Sequence, residues 1–292
     1  MMFEFDGTKP FFKGNTHLHT TVSDGDFTPE QAKAAYKAAG YDFIVISDHR
    51  IVGATEDYEG MLCMSGAEYD YTFPEQVLHV VAVLPDDRLK REDWKKYNHN
   101  EMIEKINAYG GAAIVAHPAW SLNTTEFLKS LGNVCGAEVF NTFSGVPWNA
   151  DRADSASILD VLSANGRVLN FVAADDCHRY TGEQCMSYIM VQADACTPEA
   201  IISAMKAGRF YASQGPRFES VESKEDRVII RTSPVSRITF FSNVPWVAER
   251  TRTGDGLTEH EYVFEKHRGE QWVRCEIVDE NGRKAWLSPM EI

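Results

Sequence analysis

The chain has 292 residues and is 43% hydrophobic, long enough to bury a full core as one large domain or two modest ones. Its 43 acidic and 29 basic residues give a formal net charge of −14, and no lysine- or arginine-rich run could gather into a groove, so long nucleic acid is disfavoured as a partner. No apolar run approaches the roughly 18–20 residues that span a bilayer, and the opening segment has no basic stretch followed by an apolar one, so the expectation is a cytoplasmic chain with no membrane partner.

Strand-like and helix-like runs alternate through the first two-thirds. TPEQAKAAYKAAG (28–40) predicts a helix, with threonine as N-cap, proline at the first helical position and glycine at the end. YDFIVISDH (41–49) follows as a buried strand, because its apolar run leaves no polar face. MLCMSGAEY (61–69) and VLHVVAVL (77–84) predict further strands, 92–109 a helix closed by two glycines, and AAIVAHP (112–118) a strand. A short helix is expected at 124–131, then strand GAEVFN (136–141), helix 154–164, strands RVLNFVAADDCH (167–178) and MSYIMVQAD (186–194), and helix TPEAIISAMKAG (197–208). This alternation argues for a parallel sheet, with a closed or distorted barrel competing against an open doubly wound one. Near Gly215-Pro216 the character changes. RVIIRT, RITFFS, EYVFEKH, WVRCEIVD and KAWLSP are strand-like and separated by turns, which predicts a small all-β, sandwich-like module. The expected domains are therefore 1–215 and 216–292.

The polar residues fall where the strands end. His17, His19, Asp48, His49, Glu68, His117, Asp175, Asp176 and His178 lie at or just beyond the C-terminal ends of strand-like runs, the edge where parallel α/β folds build active sites. Six of the nine histidines, His79 among them, occupy strand-associated positions. Imidazole and carboxylate together suit zinc, manganese or iron, and the six cysteines form no C-x-x-C pair that would suggest a structural zinc knot. Residues at i and i+2 point the same way on an extended strand, so His17 and His19 can grip one ion. Asp176 and His178 repeat that spacing, which favours Asp176 over Asp175 as a ligand.

These residues resemble the polymerase and histidinol phosphatase (PHP) superfamily of trinuclear-metal phosphoesterases. The likeness rests on His17-Leu18-His19-Thr20, Ser23-Asp24-Gly25, Ser47-Asp48-His49, Gly66-Ala67-Glu68, His79, Ala116-His117-Pro118 and Asp176-Cys177-His178, in that order. Segments EVFN, AADDCH, AMKAGRFYAS and RKAWLSP look like the carbaryl-hydrolase-like branch, in which a β-rich module follows. The resemblance implies an α/β fold, a distorted (β/α)7-type barrel with a C-terminal β domain. It also implies three divalent ions. His17, His19, Glu68 and Asp176 would hold the first; Glu68 would bridge to a second held by His79 and His117; Asp24, His49 and His178 would hold the third.

A water activated between such ions is the expected nucleophile, with the ions neutralising phosphoryl charge in the transition state. The general acid is left unassigned. Asp48 is expected to orient a ligand histidine. Arg50 and Arg179 are candidates for gripping a phosphate, Asn141 for entering the pocket, and Trp148 with Asn149 for its wall, ordinary packing being the favoured reading of the tryptophan. Cys177 should face away and pack. The expected activity is a metal-dependent phosphoesterase acting on a small phosphomonoester or short nucleotide. The alternatives are a carboxyl- or carbamate-ester hydrolase and a non-catalytic metal- or sugar-binding module.

Overall fold

The computed structural model describes residues 5, 9–264 and 269–292. Strand β1 (Phe11–Asn15) runs through the His17–His19 segment to helix α1 (Pro29–Ala38). The Thr28 side chain caps that helix by accepting from the Gln31 N–H, while the Gln31 side chain accepts from the Thr28 N–H, so two otherwise unpaired donors are satisfied. Strands β2 (Phe43–Val45), β3 (Glu56–Tyr58), β4 (Met61–Thr72) and β5 (Val77–Leu84) follow, then α2 (His99–Ala108), β6 (Ala112–Val115), α3 (Thr125–Ser130) and β7 (Gly136–Asn141). Helix α4 (Ala156–Ala164), β8 (Asn170–Ala174), β9 (Tyr188–Gln192), α5 (Pro198–Lys206) and β10 (Phe210–Ser213) complete the first part.

Helix α2 is shorter than the run 92–109 suggests. Short 3₁₀ turns occupy Asp87–Arg91 and Trp94–Lys96, and the α-helix starts only where Asn98 can cap Asn100 and Glu101. The sheet is mixed where a parallel one was expected. Pairs β1/β2, β2/β4, β6/β7 and β7/β8 are parallel, whereas β4/β5, β5/β6, β1/β9 and β9/β10 are antiparallel. One reversal follows from its connection: a tight turn with Phe73 N–H bonded to Gln76 C=O joins β4 to β5, too short for a crossover helix, whereas β5 and β6 are antiparallel with α2 between them. The order β9-β1-β2-β4-β5-β6-β7-β8 does not close into a (β/α)7 barrel. A single parallel bridge, Leu18 to Cys177, links the segments that extend β1 and β8. That bridge brings the N-terminal histidines against the last ligand-rich loop.

The C-terminal part comprises β11 (Phe218–Ser223), β12 (Arg227–Ser242), β13 (Thr251–Val263), β14 (Trp272–Val278), β15 (Lys284–Trp286) and β16 (Met290–Glu291). Two expected strands, RVIIRT and RITFFS, are one. Strand β12 runs through Pro234, and its register shifts between Arg231 and Val235, the kind of bulge where a proline's missing N–H costs no ladder bond. Among the described residues these strands pair antiparallel with one another around a core that includes Phe218, Ile230, Ile238, Phe240 and Ile277. Residues 265–267 of the expected strand EYVFEKH lie outside the described residues.

The two parts share a ladder and an ion pair. Ala212 and Ser213 of β10 pair with Trp286 and Ala285 of β15, and Trp286 is wholly buried in the core of the first part. Arg274 on β14 makes a forked bond to Asp160 on α4 at 2.6 and 2.7 Å. No helix among the described residues is long and apolar enough to cross a membrane.

Candidate metal centre

The loops after β1, β2, β6 and β8 meet over strands β4 and β5 and bring nine side chains into one cleft. Their ligand-capable atoms fall into three groups, each with all atoms within 4.8 Å of one another: His17, His19, Glu68 and Asp176; Glu68, His79 and His117; and His19, Asp24, His49 and His178. His19 belongs to two of these groups, a sharing the sequence did not suggest.

In the first group His17 Nε2 lies 3.2 Å from Glu68 Oε1, 3.1 Å from Asp176 Oδ1 and 3.2 Å from His19 Nε2. His19 Nε2 lies 3.2 Å from Glu68 Oε2 and 3.2 Å from Asp176 Oδ1. In the second, His79 Nδ1 is 2.8 Å and His117 Nε2 3.5 Å from Glu68 Oε1. In the third, Asp24 faces His19 Nδ1 at 3.5 Å, His49 Nε2 at 3.6 Å and His178 Nε2 at 3.5 Å. The Glu68 carboxylate, 1% exposed, therefore stands between groups.

The donors fit a divalent cation. A tetrahedral shell with metal–ligand distances of about 2.0 Å has edges of about 3.3 Å, close to the spacing of the first group. Asp176 Oδ1 and His49 Nδ1 are buried and find no hydrogen-bond partner among the described residues, as atoms reserved for an ion would. Burial alone would lower the His17 and His19 pKa values, yet neighbouring carboxylates reverse it. Asp176, Glu68 and Glu138 hold His17 well above its usual range, and Asp176 and Glu68 push His19 up to about 9. Burial works upward on Glu68 and Asp176, and the imidazoles hold both well below the ordinary carboxylate range. Such a field stabilises positive charge at the centre.

The backbone is bent to present these groups. His117 and Asp176 have φ of 32° and 53°, a left-handed region that costs non-glycine residues free energy and gathers at functional sites. Gly25 allows the Asp24 loop to lie against β1's extension: a Cβ there would come within 2.4 Å of the His19 carbonyl oxygen. The Asp26 N–H then bonds the His178 carbonyl at 2.7 Å. His178 Nδ1 lies 2.8 Å from the Asp176 carbonyl oxygen, and His117 Nδ1 lies 2.8 Å from Ser121 Oγ, so in both the Nε2 faces the cleft.

Several expected roles change. Asp175 is an internal anchor: Asn15 and Tyr36 side chains and the N–H groups of Cys185, Met186 and Ser187 all donate to it at 2.6–2.9 Å. Burial nonetheless pushes its pKa up to about 7. Among the described residues the Asp48 carboxylate bonds no histidine; it accepts from Thr20 N–H, Thr20 Oγ1 and Ser23 Oγ at 2.7–2.8 Å and so braces the Asp24 loop. Asn141 is wholly buried, and its amide donates to Glu138 and Asp176 at 2.7 and 3.2 Å, which leaves it behind the ligands and not in the pocket. Arg50 is paired with Asp70 and lies over Trp94 at 5.2 Å, outside the cleft lining. Trp148 bonds Thr181 through its indole N–H at 3.2 Å and likewise lines no part of it. Cys177 is buried among Leu18, Tyr36 and Tyr180, as expected.

The cleft has a volume of about 240 Å³, and besides ligands its lining includes Trp120, Phe143, Ser144, Asn149 and Arg179. Trp120 packs edge-on to His117 at 4.8 Å, and Phe143 stacks on His178 at 4.5 Å. Sequence reading missed both aromatics, and it missed Glu138.

No family model and no curated protein matches the chain. Among solved structures, it is similar to a two-domain protein from Bacteroides vulgatus containing a predicted PHP-like metal-dependent phosphoesterase, with 16% identity, TM-score 0.52, and coverage of 99% of this chain and 97% of that one. A protein from Bifidobacterium adolescentis named as a candidate metal-dependent phosphoesterase aligns over 56% of this chain and 87% of its own, at 15% identity and TM-score 0.41. An amidohydrolase from Chromobacterium violaceum with bound sulfate and no metal aligns over 58% and 89%, at 13% identity and TM-score 0.38. The full-length overlap with the first shows that the two chains share a fold.

Proposed function

We propose that the chain is a metal-dependent phosphoric ester hydrolase acting on a small phosphomonoester or a short nucleotide. One observation carries this reading: three histidine–carboxylate groups, sharing Glu68 and His19, meet in a cleft whose wall includes the guanidinium-bearing Arg179. Residues 1–215 form the hydrolase part in this reading, and 216–292 the β part joined to it.

His17, His19, Glu68 and Asp176 would hold a first divalent ion, Glu68 with His79 and His117 a second, and Asp24, His49 and His178 a third, the ions being zinc, manganese or iron. Such ions supply an activated water at neutral pH and positive charge against a phosphoryl group. The chain's own residues do the rest. His117 and His178 keep Nδ1 occupied and present Nε2 inward. Arg179, more than half exposed at the rim and 3.2 Å from Asp26, can turn its planar fork onto phosphate oxygens. Trp120 and Phe143 exclude water from one side of the cleft and leave room for a small leaving group. A carboxyl- or carbamate-ester hydrolase fits less well, because a neutral ester gives the lining arginine nothing to neutralise.

The test is phosphate release from a panel of phosphomonoesters and short oligonucleotides, using protein loaded separately with manganese, zinc and iron. Chelator-sensitive release from small monoesters is expected. A metal-loaded protein that releases phosphate from none of them would overturn the phosphomonoester assignment.

A further inference from the structure

Glu138, on β7, lies outside the three ligand groups, yet its wholly buried carboxylate reaches two of them. Its Oε1 is 2.8 Å from His17 Nδ1, and its Oε2 accepts from the His117 N–H at 2.8 Å and from Asn141 Nδ2 at 2.7 Å. Asn141 passes its amide on to Asp176 Oδ2 at 3.2 Å. One strand thus ties together ligands carried on the loops after β1, β6 and β8.

We infer that Glu138 is the positioning residue that fixes the tautomer and orientation of His17 and so assembles the first ion's position; this rests on the metal reading above. The argument is one of donors and acceptors. A carboxylate only accepts, so Glu138 Oε1 claims the proton on Nδ1 of a neutral His17. The ring's lone pair is then on Nε2, the atom that faces His19, Glu68 and Asp176. A carboxylate behind a ligating histidine also raises its basicity and locks its ring plane. Both Oε2 partners are donors as well, so the three contacts together demand an acceptor at every corner.

The Glu138→Gln variant tests this because it changes the donor pattern at nearly constant shape. With the glutamine oxygen kept on the His117 N–H and Asn141, its NH₂ turns toward His17 Nδ1, which must become the acceptor. The His17 proton then moves to Nε2 and closes the lone pair the ion needs. Apo protein titrated with zinc alone, followed by equilibrium dialysis and elemental analysis, should show the tightest site weakened about 10–100-fold, while a cooperative thermal melt is kept. The ¹⁵N shifts of the His17 ring in the zinc-loaded wild type should report protonation at Nδ1. Wild-type zinc stoichiometry and affinity in the variant would overturn the inference. If the variant does not fold, the wild-type spectrum decides: a zinc-loaded His17 protonated at Nε2 overturns it. Wild-type protein that binds no zinc, manganese or iron would instead overturn the metal reading beneath it.

Discussion

Two buried histidine environments, one in each part of the chain, show what separates a site from a core. His17 and His19 in the cleft and His260 on β13 are all at most 3% exposed. Around the first two, carboxylates about 3 Å away raise the pKa against burial. Around His260 burial lowers it, Arg252 adds to the effect, and a neighbouring ring is that of Phe240 at 5.2 Å. Burial makes a histidine neutral by default; only a cage of carboxylates makes it want a cation. The β part spends its charged groups differently, on an internal tie such as Arg274 to Asp160.

The contrast can be broken most severely in the cleft. His19→Ala or Asp24→Ala should reduce turnover to background while urea unfolding stays cooperative; activity retained in both variants would remove the site from these residues. Next comes the tie between the parts. Arg274 is wholly buried, with Phe241 beneath it at 3.9 Å, and Arg274→Ala should cost about 3 kcal/mol, the lower end for a broken buried pair because Asp160 is partly wet. Its denaturation midpoint should fall while turnover per folded molecule holds. Lost turnover in the folded variant would mean that the β part takes part in the chemistry.

A smaller effect separates the two arginines. Arg179→Ala should raise KM about tenfold or more, the worth of a charge-assisted hydrogen bond, whereas Arg50→Ala should leave KM unchanged because Arg50 lies outside the cleft lining that includes Arg179. Equal effects would restore Arg50 to the substrate. The smallest concerns His260. Its folded pKa lies below the ordinary 6.5, so the unfolded chain takes up the proton first on acidification. Stability is full above pH 6.5 and is lost as pH falls below it, by at most about 1.4 kcal/mol per unit. The His260→Leu variant should lack that component when unfolding curves are compared with wild type between pH 7 and 5.

Much of the cleft was legible because strand geometry is local. The i, i+2 spacing of His17 with His19 is a property of extended chain, and the helix 28–40 announces itself through its caps, whereas Asp176 reaches the cleft through a left-handed turn that spacing does not reveal. The sheet's mixed direction was not legible, because strand-like runs look alike whichever way they pair, and β5 and β6 are antiparallel even though α2 fills their connection. Arg50 and Arg179 could not be told apart, since the neighbours that hold one of them, Asp70 and Trp94, come from elsewhere in the chain. Glu138 did carry a signal. A lone carboxylate inside the strand GAEVFN, with Ala137 and Val139 beside it also buried, has no aqueous face to use and must have donors waiting. Strand β13 carried almost none: its first ten residues are nearly all exposed, so no apolar alternation marks them.

The bridge from Leu18 to Cys177 also has a consequence in time. A ribosome completes His17 and His19 early, but Asp176 and His178 come roughly 160 residues later, about ten to thirty seconds at ordinary elongation rates of about 5–20 residues per second. Throughout that interval the nascent chain carries a paired-histidine fragment without the carboxylate that completes its set. On the metal reading proposed above, ion capture with the full set would therefore belong to the last phase of synthesis, after the loop beyond β8 has emerged and docked.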